Sequence, residues 1–156
     1  MMFGWETANG PVRRMILNSR RPAKICTWNV RTMFQSGQTE NICREMLKAK
    51  IDILAITESR WTNNGEFKHH SGLKILYSGH MNEDLGHNQG VALMLTKQAE
   101  QAMISWQPHG PRIMEAYFKS SDKNINLRII VAYAPTEQAD TEVKNKFYDQ
   151  LDSVFK

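Results

Sequence analysis

Asn29 and Glu58 are the residues whose types and placement could do chemistry. Each closes an apolar run: Cys26-Thr27-Trp28-Asn29-Val30-Arg31 and Ala55-Ile56-Thr57-Glu58-Ser59-Arg60 both read as a strand that stops at a polar residue able to meet a metal or a phosphate. Oxygen ligands of this kind suit magnesium, which takes only one or two carboxylates and keeps several waters. Each residue alone is also open to a plain reading. A strand-end Asn is ordinarily a turn residue, and a lone Glu is ordinarily solvated. Glu58 follows Ile53-Leu54-Ala55-Ile56-Thr57 directly, and a carboxylate at the mouth of a buried strand is a less casual placement.

Arg31, Arg60 and Arg112 fall near the expected strand ends, and Arg is the side chain for bidentate phosphate contact. For any one of them, a surface arginine on a loop is the reading preferred. Trp28 is expected in the core. Trp61, in a polar segment, could stack on a base or cover the sheet end, and cover is the reading preferred. His69-His70, His80, His87 and His109 all lie in polar stretches without zinc-ligand spacing such as H-E-x-x-H. Two lone cysteines add nothing, so the spacing predicts no zinc site. No phosphate-cradling G-x-x-x-x-G-K-[ST] loop and no G-x-S-x-G elbow is present. Gly90 reads as a strand-entry glycine.

The elements must bring Asn29 and Glu58 together. Between their strands, the stripe Ile42, Cys43, Met46 and Leu47 marks one helix, from the punctuation Ser36-Gly37-Gln38-Thr39 to about Lys50. A strand–helix–strand unit with a crossover helix makes the strands parallel. Their carboxyl ends then share the rim where open α/β sheets place ligands. Strands are expected at Lys24 to Asn29, Ile51 to Thr57, Leu73 to Ser78, Gln89 to Thr96, Ala102 to Gln107, Arg112 to Lys119 and Asn126 to Tyr133. Ser59 to Ser71 and His80 to Asn88 read as polar loops. Ser120 to Asn124 reads as a hairpin turn, making the last two strands antiparallel. Pro135 ends the last strand. A final helix, capped by Asp140 or Thr141, carries the stripe Val143, Phe147, Leu151, Val154 and Phe155.

The fold class is therefore α/β: one mixed sheet with helices on one face. Ile53, Ala55, Val91, Leu93, Ile129 and Val131 lie in strands apolar on both faces, so the opposite face is expected to need a second layer. Residues 1–22, with Arg13, Arg14, Arg20 and Arg21, read as a disordered or irregular basic arm, and residues 23–156 as the domain.

Composition bounds the rest. An apolar share of 41% and a charged share of 23% are those of a globular chain. The net charge of +4 fits a phosphate-bearing partner but is common among soluble basic proteins. Cys26 and Cys43 read as buried thiols without paired spacing, which argues for a reducing compartment. No stretch approaches the roughly 18 apolar residues of a membrane span. The N-terminus lacks a signal-peptide apolar run. The chain is expected in nucleus or cytoplasm, not secreted, with no membrane partner.

Taken in order, Thr27-Trp28-Asn29-Val30-Arg31-Thr32, Ile56-Thr57-Glu58-Ser59-Arg60-Trp61, Gly90-Val91-Ala92-Leu93, Arg112 and Ile130-Val131-Ala132-Tyr133-Ala134-Pro135-Thr136 resemble the endonuclease/exonuclease/phosphatase superfamily, which includes abasic-site endonucleases and deoxyribonuclease I. From Gln89 to Phe155 the wording is especially similar to endonuclease domains of non-LTR retrotransposons and craniofacial development protein 2-like sequences. The resemblance runs from about Lys24 onward. It implies a four-layer α/β sandwich, of which this chain would supply the N-terminal half, and a magnesium-dependent phosphodiesterase acting on DNA. By the same resemblance, Asn29 positions groups around the phosphate, Glu58 holds the metal and Tyr133 faces the scissile phosphate. Arg31 stands where abasic-site enzymes carry an acidic residue, closer to the deoxyribonuclease-like pattern in which Arg meets the nucleic-acid backbone. Arg112 matches a phosphate-proximal Arg found in part of the family.

The family also uses a later G-D-x-N segment that orients and deprotonates water, and a C-terminal Asp-His pair. Neither occurs in these residues. The resemblance thus implies a truncated domain, inactive by itself, with weak or absent magnesium binding, weak binding of DNA through phosphates, and a complementary C-terminal half as partner. The alternative is a non-catalytic nucleic-acid-binding or vestigial protein.

Overall fold

The computed structural model describes residues 6–7, 10–11, 21–82, 84 and 87–156. The expected basic arm, residues 1–22, therefore lies mostly outside the described residues. Within it, β1 (Glu6–Thr7) and β2 (Gly10–Pro11) pair antiparallel. The elements that follow are β3 (Ile25–Asn29), α1 (Gln38–Lys48), β4 (Ile53–Thr57), β5 (Asn64–Lys68), β6 (Lys74–Ser78), β7 (Val91–Leu95), α2 (Lys97–Ala102), β8 (Met103–Pro108), β9 (Ile113–Lys119), β10 (Asn126–Ala132) and α3 (Thr141–Phe155).

The α/β class stands as expected, but the strands divide between two sheets. One has five strands in the order β3-β4-β7-β6-β5, and the other three in the order β10-β9-β8. β3 and β4 are parallel, joined through α1, with Asn29 opposite Thr57. The remaining pairs of both sheets are antiparallel.

Strand periodicity explains the layering. Along β4 and β7, Ile53, Val91, Leu93 and Leu95 point one way, while Leu54, Ile56, Ala92 and Met94 point the other. The first set packs against Met114, Ala116, Phe118 and Val131 of the three-stranded sheet, with Ala99 and Ala102 of α2. The second set packs under Ile42, Cys43 and Met46 of α1. On the far side of the three-stranded sheet, Ile113 and Ile130 meet Phe147, Leu151 and Val154 of α3. The order is helix, sheet, sheet, helix. The expected uncovered face is thus corrected. It is covered by β8, β9 and β10 of the same chain, and β7 is buried at every position.

Smaller corrections follow from the same geometry. β3 pairs only with β4 among the described residues, and all five of its residues are exposed. Trp28, expected in the core, is 41% exposed, and Cys26 is exposed while Cys43 is buried. The supposed loop from Ser59 contains β5, an edge strand whose polar sequence Asn64-Gly65-Glu66-Phe67-Lys68 hides its period. Thr96 accepts a hydrogen bond from the Ala99 N–H and so starts the short helix α2, which lies between the strands expected at Gln89 to Thr96 and Ala102 to Gln107. Leu47, Val143 and Phe155 stand exposed, outside the stripes assigned to them.

Candidate functional site

Glu58 sits one residue beyond β4 with φ of 59°, a left-handed conformation that a side chain with a Cβ adopts at a cost. Arg31 (62°), Arg60 (61°) and Gln89 (58°) share it, and all four fall in the segments that form this rim. Tertiary hydrogen bonds enforce the conformation. Ser59 N–H donates to Gly90 O (3.1 Å), Arg60 N–H to Gln89 O (2.7 Å) and Met33 N–H to Ser59 O (2.8 Å). Gly90 N–H in turn donates to Pro111 O (2.9 Å), which ties this rim to the second sheet. Gly90 is therefore more than a strand-entry residue. Its φ is 94°, and a Cβ there would lie 2.5 Å from Ser59 Oγ. Ser59 itself is fully buried, and its Oγ has no hydrogen-bond partner among the described residues.

The rim brings the expected side chains together. Asn29 Nδ2 donates to Glu58 Oε1 at 3.1 Å, and Tyr133 OH donates to the same oxygen at 2.7 Å. Asn29 Oδ1 accepts from Arg31 N–H at 3.1 Å, which fixes the amide's orientation. Tyr133 is reached from the other sheet. It follows β10, its N–H donates to Arg112 O (2.8 Å), and Arg112 Nη1 donates back to Tyr133 O (2.9 Å). The Arg112 guanidinium lies over the Tyr133 ring, 5.1 Å from its centre. Arg112 thus braces Tyr133, while Arg60 and Arg31 stand exposed at the rim. Arg60 Nη2 is 3.9 Å from Glu58 Oε2. Trp61 is half-buried, packed edge-on to Tyr77 at 5.5 Å, and covers the sheet end.

Electrostatics follow from these contacts. The Tyr133 hydrogen bond holds the Glu58 carboxyl below the ordinary range, aided by Asn29 and by the charges of Arg60 and Arg31, against the opposing effect of partial burial. Tyr133 is pushed up, first by burial and then by its bond to the Glu58 carboxylate. Burial lowers Arg112. The result is an ionised carboxylate with one oxygen saturated by donors and the other facing a cation. Sequence reasoning missed the Ser59 and Gln89-Gly90 crossing that shapes the rim, and its one local signal was the glycine before Val91.

These layers define a fold: a helix–sheet–sheet–helix arrangement consistent with an N-terminal half of the endonuclease/exonuclease/phosphatase fold. No family model matches the chain. Among solved structures it is similar to the catalytic domain of APE2 from Xenopus laevis, with a TM-score of 0.59 and 15% identity over 81% of this chain and 51% of that one. An AP endonuclease from Leishmania major gives a TM-score of 0.59 and 11% identity over 92% of this chain and 49% of that one.

In sequence the chain is similar to craniofacial development protein 2 from Bos taurus, 36% identical over 127 residues, which are 81% of this chain and 20% of that protein. The protein of the same name from Tragulus javanicus is 35% identical over 127 residues, 21% of its length. The chain thus spans about a fifth of the curated relatives it matches.

Proposed function

We propose that this chain carries the metal-binding half of a phosphodiesterase site that acts on DNA, of the kind found in non-LTR retrotransposon endonuclease domains. The observation that supports this best is Glu58: an ionised carboxylate in a strained backbone conformation, clamped by Asn29 from one sheet and Tyr133 from the other. Strain of this kind costs about 1–3 kcal/mol per residue and persists only where surrounding structure over-determines it.

The donor set fits a magnesium ion. Glu58 offers an oxygen, Oε2, that among the described residues no donor approaches closer than Arg60 at 3.9 Å. One carboxylate with waters and substrate oxygens is an ordinary magnesium environment. When bound there, the ion would neutralise charge developing on a phosphate oxygen. The chain's own residues would do the rest. Asn29 and Tyr133 orient the carboxylate and present hydrogen-bond donors at the rim. Arg31 and Arg60 attract the phosphate backbone, and Arg112 keeps Tyr133 in place. Among the described residues the rim gathers Glu58, Asn29 and Tyr133, and no Asp–Asn pair of the G-D-x-N kind stands beside them to deprotonate water.

The second reading, binding without cleavage, uses the same arginines and is favoured for the 156-residue polypeptide taken alone. Paramagnetic Mn²⁺ at low occupancy separates the parts of the proposal. Expected is selective broadening of the Asn29, Glu58 and Tyr133 resonances, lost in Glu58→Gln. Broadening elsewhere only, or unaltered by Glu58→Gln, would overturn the metal assignment. Fluorescence anisotropy with a labelled DNA duplex should show weak binding that falls with salt as counterions are released. Salt-independent binding would remove the phosphate reading. Plasmid nicking by the polypeptide that Glu58→Ala abolishes would show that these residues suffice for cleavage.

A further inference from the structure

His69 and His70 lie in the turn between β5 and β6, away from the rim. Register fixes their place. Lys68 pairs with Lys74, Lys74 with Leu95 and Leu95 with Ile53, so this turn is at the Ile53 end of the sheet. Glu58 follows Thr57 at the opposite end. At about 3.3 Å per residue along β4, the two places are more than roughly 13 Å apart.

Glu40, in the first turn of α1, reaches into that turn. Its Oε1 lies 2.8 Å from His69 Nε2 and 2.7 Å from His70 Nε2. Among the described residues this is the one group of three or more His, Cys, Asp or Glu whose ligand atoms all lie within 4.8 Å of one another. The two rings are 4.1 Å apart at 35°, and both Nε2 atoms meet the same oxygen. His69 is anchored, with its side chain 8% exposed, whereas Glu40 and His70 are exposed and free to adjust.

Ser71 offers His69 Nδ1 two partners. Its Oγ, at 2.8 Å, can accept from Nδ1–H, and its N–H, at 3.2 Å, donates to a bare Nδ1. The first tautomer frees Nε2 as a ligand, and the second makes Nε2–H a donor to Glu40. A histidine whose second nitrogen is held by a hydrogen bond is the usual arrangement around protein-bound metals.

We propose that Glu40, His69 and His70 bind a divalent transition-metal ion of the zinc type, separate from the rim. Two imidazole nitrogens and one carboxylate oxygen suit Zn²⁺, Co²⁺, Ni²⁺ or Cu²⁺, and not the all-oxygen preference of magnesium. Bonds of about 2.0–2.1 Å in a tetrahedral site set ligand atoms about 3.3 Å apart, so the present 2.7–2.8 Å contacts need open by only about half an ångström. A fourth position is left for water. The sequence spacing predicts no zinc site because 29 residues separate Glu40 from His69. The ion would pin the start of α1 to the β5–β6 turn.

The test uses the 156-residue chain, free of any affinity tag and carrying Glu58→Ala so that the rim contributes no metal site. Co²⁺ is titrated and its visible ligand-field absorption followed, then Zn²⁺ is added. Expected is one saturable equivalent at micromolar Co²⁺, displaced by Zn²⁺ and indifferent to millimolar Mg²⁺. His70→Ala and Glu40→Gln, both at exposed positions, should each weaken it by about tenfold or more with an unchanged circular dichroism spectrum. No saturable binding in the parent, equal binding in both variants, or displacement by Mg²⁺ would overturn the proposal.

Discussion

At the rim, Glu58 links side chains carried by both sheets. Its Oε1 is the acceptor for both Asn29 and Tyr133, so removing one donor has a readable effect. Tyr133→Phe deletes the shorter bond and should cost about 1 kcal/mol, the net worth of a hydrogen bond at a partly exposed site. Because that bond is the largest cause of the lowered Glu58 pKa, the carboxyl titration midpoint should move up in the variant, followed by ¹³C chemical shift. A midpoint that stays put would show that the arginine charges dominate instead. Gly90→Ala is expected to be more damaging. It forces a Cβ into both a φ of 94° and a 2.5 Å approach to Ser59 Oγ, so a loss of about 1–3 kcal/mol in a denaturant melt is expected. A Gly90→Ala chain with unchanged stability would mean that the crossing rearranges freely.

At the scale of elements, α3 is held by more than its apolar stripe. Glu115 of β9 is buried, accepts from Arg128 Nε at 2.8 Å, and lies 3.0 Å from His109 Nε2. Arg128 also donates to the carbonyl of Val154, near the end of α3. Burial pushes the Glu115 carboxyl up, but its bonds to His109 and Arg128 and their charges outweigh this, and its pKa is lowered from 4.5. A depressed carboxyl contributes stability that is full above its unfolded pKa and lost as pH falls through the folded one. The same sign holds for Glu58. Stability should therefore decline as pH drops below about 4.5. Glu115→Gln should flatten that acid limb while lowering stability at neutral pH, as measured by urea melts across pH. An acid limb identical to the parent's would place the titrating group elsewhere.

These elements also show what the residues alone disclose. The β3–α1–β4 unit was legible because its two strand runs and helix stripe are uninterrupted, and the β9–β10 hairpin because its turn residues are explicit. β5 was not, since a polar edge strand has no apolar period to read. The division into two sheets was not legible either, because a strand apolar on both faces says that it is covered and not by what. Asn29 and Glu58 could be placed on one rim by topology. Tyr133 came only from resemblance, and Glu40 with His69 and His70 from neither, since nothing local joins residues 29 apart.

For the whole molecule, the apolar layers are filled, with Phe118, Leu93 and Met94 fully buried. The expected result of thermal melting is therefore a cooperative transition, not a molten chain. What stays open is β3, whose outer edge is unpaired among the described residues and whose Ile25 and Trp28 are 43% and 41% exposed. An exposed edge strand is a template for pairing with another chain. Size-exclusion chromatography at rising concentration should show self-association that Trp28→Lys reduces. Association unaffected by that change would locate the contact elsewhere.

The crossing of Ser59, Arg60 and Gly90 has a kinetic signature. Their amide protons lie outside regular strands and helices, yet each is tied to a carbonyl on another segment. Loops ordinarily open by local fluctuations of little cost, whereas core strands open only with the molecule. In hydrogen–deuterium exchange these three amides should be protected as long as those of β7. Such protection would mean that the rim's shape is present continuously, waiting for a ligand and not assembled by one.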